Sequence, residues 1–332
     1  MDMTLFDLIR NYKSLSISGM CKNAGKTTAL NTLINSSPDK EILALTSIGR
    51  DGEKTDTVTK TQKPDIYIRE GSLFATAEQL LKFCDVTKEI LDTTHISTPL
   101  GSVVLVRALS DGYVQLAGPS IIVQLVDISP YFWALGADRL IIDGSVGRKT
   151  LCTKLLADAT ILCTGASFSQ SMEETILETQ HTCRILMTPE LPMLKSQISP
   201  IVPDTKYVIL GKEKICLPDG AALHEHLKQT ANPNYLYIEG ALTDRFLDLL
   251  MRSGYPKGLT IVTHDASRLL ISSDNLCKLN AIGGALGVLE SINLAAITIN
   301  PFSAYGQHYN SMEFKEKMTA AVPVPVLNVL EC

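Results

Sequence analysis

Residues 16–34 read Ser16-Ile17-Ser18-Gly19-Met20-Cys21-Lys22-Asn23-Ala24-Gly25-Lys26-Thr27-Thr28-Ala29-Leu30-Asn31-Thr32-Leu33-Ile34. An apolar strand runs into a loop of small residues. The loop runs into a segment in which Ala29, Leu30, Leu33 and Ile34 recur at the spacing of one helix face. Strand, small-residue loop and helix in that order make the first unit of an α/β sheet with parallel strands.

The same stretch carries chemistry. Backbone N–H groups of Lys22, Asn23, Ala24 and Gly25, continued at the helix start, are placed to wrap a phosphate. Lys26 would reach the β- and γ-phosphates, the Thr27 hydroxyl would bind Mg²⁺, and Thr28 follows in the same turn. The strict spacing G-x-x-x-x-G-K-[ST] asks for glycine at position 20, where this chain has Met20, with Gly19 one residue earlier. A helix capped by Gly-Lys-Thr for structural reasons alone is the competing reading. The strand-to-helix context favours the phosphate loop.

Such a loop needs an acid on the metal side, at the end of another parallel strand. Leu140-Ile141-Ile142-Asp143-Gly144 offers Asp143, and Leu43 to Glu53 offers Arg50 and Asp51 after a second strand, where a nucleotide-sensing segment would sit. Asp127 is a weaker rival. No Asn/Thr-Lys-x-Asp segment follows a candidate strand, so the expected nucleotide is ATP rather than GTP.

Further candidate strands are Leu15–Ser18, Glu41–Ser47, Asp65–Ile68, Arg139–Ile142, Thr160–Cys163 and Cys183–Met187. In the C-terminal half they are Tyr207–Leu210, Tyr235–Ile238, Leu259–Val262, Ala295–Ile299 and Val324–Val329. They alternate with helical patterns, which predicts an α/β fold with a mostly parallel sheet flanked by helices, like that of phosphate-loop NTPases. Residues 93–117 alternate with period two and turn at Pro99-Leu100-Gly101 and Asp111-Gly112, which predicts an inserted antiparallel meander. Residues 188–204 hold four prolines. We expect the boundary there, between a nucleotide-binding domain at 1–190 and a second α/β domain, or continuation of the sheet, at 205–332.

Composition narrows the function. With 45% hydrophobic and 20% charged residues the chain is that of a folded protein, and its net charge of −5 gives no footprint for nucleic acid. No apolar run approaches the roughly 20 residues of a spanning helix, and the N-terminal segment lacks the pattern of a signal peptide. Eight cysteines without a C-x-x-C pair read as buried, reduced thiols of a cytoplasmic protein. His224 and His226, two apart, diverge on a helix and read as surface histidines. Thr263-His264-Asp265 and Asn300-Pro301 follow apolar strands, where open sheets bind ligands, and satisfying loop backbone is their plainer role. Trp133, in an aromatic cluster, fits core or partner surface equally.

The segments GMCKNAGKTTALN, LTSIGRDGEKTD, KPDIYIREGSLFATA, HISTPLGSVVLVRALSDGYVQLAGPS, IIDGSVGRKT and DATILCTGAS follow one another in this order. Together they resemble the phosphate-loop subunit of lysine 5,6-aminomutase reactivases, over about residues 10–170. In that family methionine at position 20 would be the usual form. The resemblance implies an ATP-hydrolysing subunit that works with a second subunit similar to the mismatch-repair ATPase class, and exchanges damaged cobalamin on an adenosylcobalamin-dependent aminomutase. It also implies that Lys26 and Thr27 hold nucleotide and Mg²⁺, that Asp143 serves the metal side, and that Arg50-Asp51-Gly52 is a switch. Loops of this class often pair across the nucleotide, which leaves a homodimer open. Two other readings stand beside it: an ATP-dependent ligase of cofactor biosynthesis resembling dethiobiotin synthetase, and a nucleotide-binding scaffold with little turnover.

Overall fold

The computed structural model describes residues 4–48, 66–146, 152–201, 203–229, 234–252 and 258–331. Arg50 and Asp51, both expected at the site, lie outside the described residues, as does Gly52.

The chain forms two compact units, residues 1–179 with 293–332, and residues 180–292. The first unit begins with α1 (Leu5–Ile9), β1 (Ser14–Gly19), α2 (Lys26–Ser36) and β2 (Leu43–Ser47), and continues with β3 (Ile66–Ile68), β4 (Leu73–Ala77), β5 (Lys88–Thr98), β6 (Gly101–Ala108) and β7 (Gly112–Val114). Then come α3 (Ile122–Ala134), β8 (Arg139–Val146), β9 (Ala159–Gly165) and α4 (Met172–Leu186), which leads out of the unit. The second unit holds α5 (Pro192–Ile198), β10 (Tyr207–Leu210), β11 (Lys214–Leu217), α6 (Gly220–Gln229), β12 (Tyr235–Ile238), β13 (Leu242–Thr243), α7 (Asp244–Arg252), β14 (Thr260–Asp265), β15 (Leu269–Leu270), α8 (Ser273–Ala281) and β16 (Ala285–Glu290). The chain then returns to the first unit as β17 (Asn293–Asn300), α9 (Ser311–Ala321) and β18 (Val326–Asn328).

The protein is α/β with a large, mostly parallel sheet flanked by helices. Among the described residues this sheet has nine strands in the order β18-β17-β9-β1-β8-β2-β4-β6-β5, all parallel from β18 to β4. β1 lies in the middle and is buried from Leu15 to Gly19, although Ser alternates with apolar residues along it. The Ser16 hydroxyl is satisfied by that of Thr160 on β9, at 2.6 Å, which removes the cost of burying both. On α2 the buried residues are Ala29, Leu30, Leu33 and Ile34, the set expected from the spacing, and each of the three large ones contributes about 1.5–3 kcal/mol by burial.

Three expectations change. Cys183–Met187 is not a strand: through Leu186 it is the last turn of α4, with Cys183, Ile185 and Leu186 buried. A short apolar run at the end of an amphipathic helix has no period of its own that separates it from a strand. The meander is a hairpin, β5–β6, antiparallel at the sheet edge, while β7 leaves it and pairs with β3. Asp111 accepts from the Glu70 N–H at 2.8 Å and the Tyr67 hydroxyl at 3.0 Å, which holds the turn against β3 instead of β6.

The third concerns organisation. The expected boundary at 188–204 falls inside the second unit, and residues 293–332 extend the main sheet through β17 and β18. The sheet needs covered partners for β9, and the apolar segments after Ile292 supply them. In the second unit β11-β10-β12-β14-β16 form a separate sheet, with β12, β14 and β16 parallel, over a core of Leu194, Ile198, Val208, Tyr237, Val262 and Leu289. No helix among the described residues is long and apolar enough to cross a membrane.

Candidate functional site

The connection from β1 leads to one side of the sheet and the connection from β9 to the other, so the direction of winding reverses between these neighbours. Ligands of open α/β sheets bind outside the carboxyl ends of strands at such a reversal. The loop 20–25 sits there. Its Met20 N–H donates to the Cys163 carbonyl on β9 at 2.9 Å, and Asn300, at the end of β17, donates from Nδ2 to the Asn23 carbonyl at 3.3 Å.

Two residues of the loop are left-handed, Asn23 at φ 59° and Gly25 at φ 90°. Glycine takes this conformation without a Cβ penalty, and asparagine tolerates it better than most. The turn brings the chain into α2 with Gly25 as the N-cap. That end has no side-chain cap and no acid in its first turn, whereas α8 and α9 are capped by Ser272 and Asn310. The first-turn N–H groups of α2 therefore keep the partial positive charge of a helix N-terminus.

Lys26 folds back along the loop. A Cβ built on Gly19 would stand 3.0 Å from its Cδ and from its Nζ, so the lysine passes over Gly19 where a side chain would block it. This accounts for the unusual spacing of the motif. Gly19 is the residue whose missing side chain leaves room for the lysine.

Asp143 lies on β8, the strand beside β1, level with Ile17 on one side and Ser47 of β2 on the other. It is half-buried. β8 runs on to Val146 instead of turning at Asp143-Gly144, with one extra residue between Asp143 and Val146 relative to β1. A bulge of this kind re-aims side chains, and is common next to functional sites. Burial pushes the Cys163 thiol, which stands level with Gly19 of β1, up to about 11, against the pull of Lys26. Burial likewise pushes Cys21, in the loop, up to about 11, with Lys26 pulling it down.

Thr27 and Thr28 are half-buried in the first turn of α2, and Lys22 and Ala24 complete the loop, Ala24 in the core. Hydroxyl and carboxylate oxygens are the donors Mg²⁺ prefers, and it takes only one or two of them from a protein beside nucleotide phosphates. Thr27 and Asp143 fit that demand. Among the described residues no group of three His, Cys, Asp or Glu side chains is arranged to hold a metal.

The remaining singled-out residues fall elsewhere. Asp127 is exposed on α3, away from any strand end. His224 and His226 are half-buried on α6 rather than on the surface. Phe132 is core, while Tyr131 and Trp133 beside it are exposed. Cys84, Cys152, Cys163 and Cys183 are buried, Cys277 is exposed, and none of the described cysteines is in a disulfide. Thr263-His264-Asp265 belongs to the second unit and Asn300-Pro301 to the first. Sequence reading did not link Asn300 to the loop, because the contact depends on β17 crossing back to β9.

No family model, curated protein or solved structure matches this chain.

Proposed function

We propose that the chain binds Mg²⁺·ATP at the Gly25-Lys26-Thr27 loop and hydrolyses it, as the ATPase subunit of a reactivating factor for a cobalamin-dependent aminomutase. The observation that carries the first half is Lys26 laid over Gly19 at an uncapped helix N-terminus, with Asp143 on the neighbouring strand. Backbone N–H groups of the loop and of α2 bind the phosphates, and Lys26 offsets their charge. Thr27 and Asp143 hold the metal side. Bound Mg²⁺ neutralises charge developing on the phosphate oxygens.

The second half is supported by the order of segments across residues 10–170 that resembles the reactivase subunit. The physical requirement is a conformation of the ATP-bound state that grips the open mutase better than the closed one, since only differential affinity moves an equilibrium. Hydrolysis resets the cycle. The partners are a second subunit similar to the mismatch-repair ATPase class and the aminomutase itself.

Cobalamin release from an inactivated aminomutase, followed spectroscopically, tests this. ATP, Mg²⁺, this chain and the second subunit are omitted one at a time. Release that needs all four is expected. ATP turnover without release, but with phosphoryl transfer to a carboxylate substrate, would replace the reactivase with the ligase.

A further inference from the structure

We propose that the loop after β17, residues 300–308, is the wall that receives the nucleotide base, with Phe302 as the ring on which adenine stacks. The proposal rests on the reading of the Gly-Lys-Thr loop as the nucleotide site. It starts from strand order. Asp143, on the metal side, stands on β8, next to β1 on one side, whereas β17 lies two strands from β1 on the other, about 10 Å away. A nucleotide carries its metal at the phosphate end and its base at the far end, so the base extends toward β17.

The β17 loop touches the phosphate side directly. Asn300 donates to the Asn23 carbonyl, and a Cβ on Gly25 would stand 3.3 Å from that of Asn300. The loop is held from within. Phe302 N–H donates to Asn300 Oδ1 at 3.0 Å, Ser303 N–H to the Gln307 carbonyl at 3.0 Å, and Tyr309 N–H to the Pro301 carbonyl at 2.9 Å. Gln307 Nε2 donates to the Ala166 carbonyl at the end of β9, at 2.9 Å.

On this hydrogen-bonded loop Phe302 is 48% exposed, with the His308 ring 5.0 Å away and tilted by 60°. A fixed aromatic face left open on a well-bonded loop is what base stacking uses, because every base offers a π-face. No acid occurs from Asn300 to Asn310. The donor edge of guanine therefore finds no carboxylate here, and adenine is the base that stacking and amide groups serve.

Titration calorimetry of the full chain with Mg²⁺·ATP, Mg²⁺·GTP and Mg²⁺·tripolyphosphate tests the proposal. Wild type should prefer ATP to both others. Phe302→Ala should lose about tenfold or more in ATP affinity, with tripolyphosphate affinity unchanged, and Phe302→Tyr should restore it. Equal ATP affinity in wild type and Phe302→Ala, with Lys26→Ala losing both ligands, would overturn the base wall and leave the phosphate loop standing. GTP binding as tightly as ATP would overturn the choice of adenine. ATP affinity that survives Lys26→Ala would remove the nucleotide site itself, and the base wall with it.

Discussion

Lys26 crosses the face of Gly19 so closely that a methyl group on that glycine would stand 3.0 Å from two atoms of the lysine side chain. Gly19→Ala would push aside the far end of a flexible chain, which costs stability only at the low end of the about 1–3 kcal/mol of overpacking. The lysine would leave its place over the loop. We expect nucleotide affinity to fall about tenfold, or about 1.4 kcal/mol, while the thermal midpoint moves little. Calorimetry with ATP beside a melting curve reads both, and an unchanged affinity would contradict the contact.

Gly165→Ala makes a contrast. Its Cβ would fall 2.2 Å from the backbone oxygen of Asn300, and backbone in the sheet cannot step away. The expected loss is at the top of the about 1–3 kcal/mol range or beyond. Urea unfolding of this variant should show a larger loss than that of Gly19→Ala.

Lys26→Ala should abolish ATP hydrolysis and weaken nucleotide binding without unfolding the chain, read by phosphate release and circular dichroism. Turnover equal to wild type would sink the phosphate-loop reading.

Asp143→Asn keeps the shape of the side chain and removes the charge. We expect Mg²⁺-dependent turnover to be lost, with part of the nucleotide affinity kept. Should Asp51→Asn prove more damaging in the same assay, the metal acid belongs to the segment after β2.

Arg139 and Glu41 form a buried ion pair at 2.8 Å, and Arg139 also donates to the carbonyls of Ile9 and Tyr12 at the end of α1. Arg139→Ala leaves the Glu41 carboxylate in the interior, a loss of about 3–5 kcal/mol. Limited proteolysis should then cut near α1 first. A variant as resistant as wild type would show that α1 is held by its apolar contacts alone.

His264 is raised above its ordinary 6.5, first by the neighbouring Asp265 carboxylate, whose Oδ2 is 3.5 Å from Nδ1. Glu290 favours the charged ring further, while burial and Arg268 oppose it. A folded-state value above the unfolded one adds stability that is complete below the unfolded value and is lost as pH rises through the folded one. Stability of the wild type should therefore fall between about pH 6 and about pH 8 by an amount that His264→Gln abolishes. Parallel unfolding curves for the two proteins at both pH values would refute it.

Much of the first unit was legible because its signals are local. Ala29, Leu30, Leu33 and Ile34 mark the buried face of α2 by spacing, and the apolar runs of β2, β8 and β9 are long enough to read as buried strands. The apolar end of α4 was not legible, since Cys183–Met187 has too few residues to separate a helix turn from a strand. Nor was the path of β7, which the Asp111 side chain turns toward β3 through contacts about forty residues away in sequence.

Local patterns in the chain carry the strand–loop–helix unit at Gly25-Lys26-Thr27, the α/β class and Asp143 as an acid on a buried strand. Each depends on neighbours within a few turns of chain. Tertiary structure alone decided that β8 and β9 flank β1, that the chain after Ile292 returns to the first sheet, and that Asn300 meets Asn23. Strand order is set by which apolar faces cover one another across hundreds of residues, and no local pattern encodes that choice.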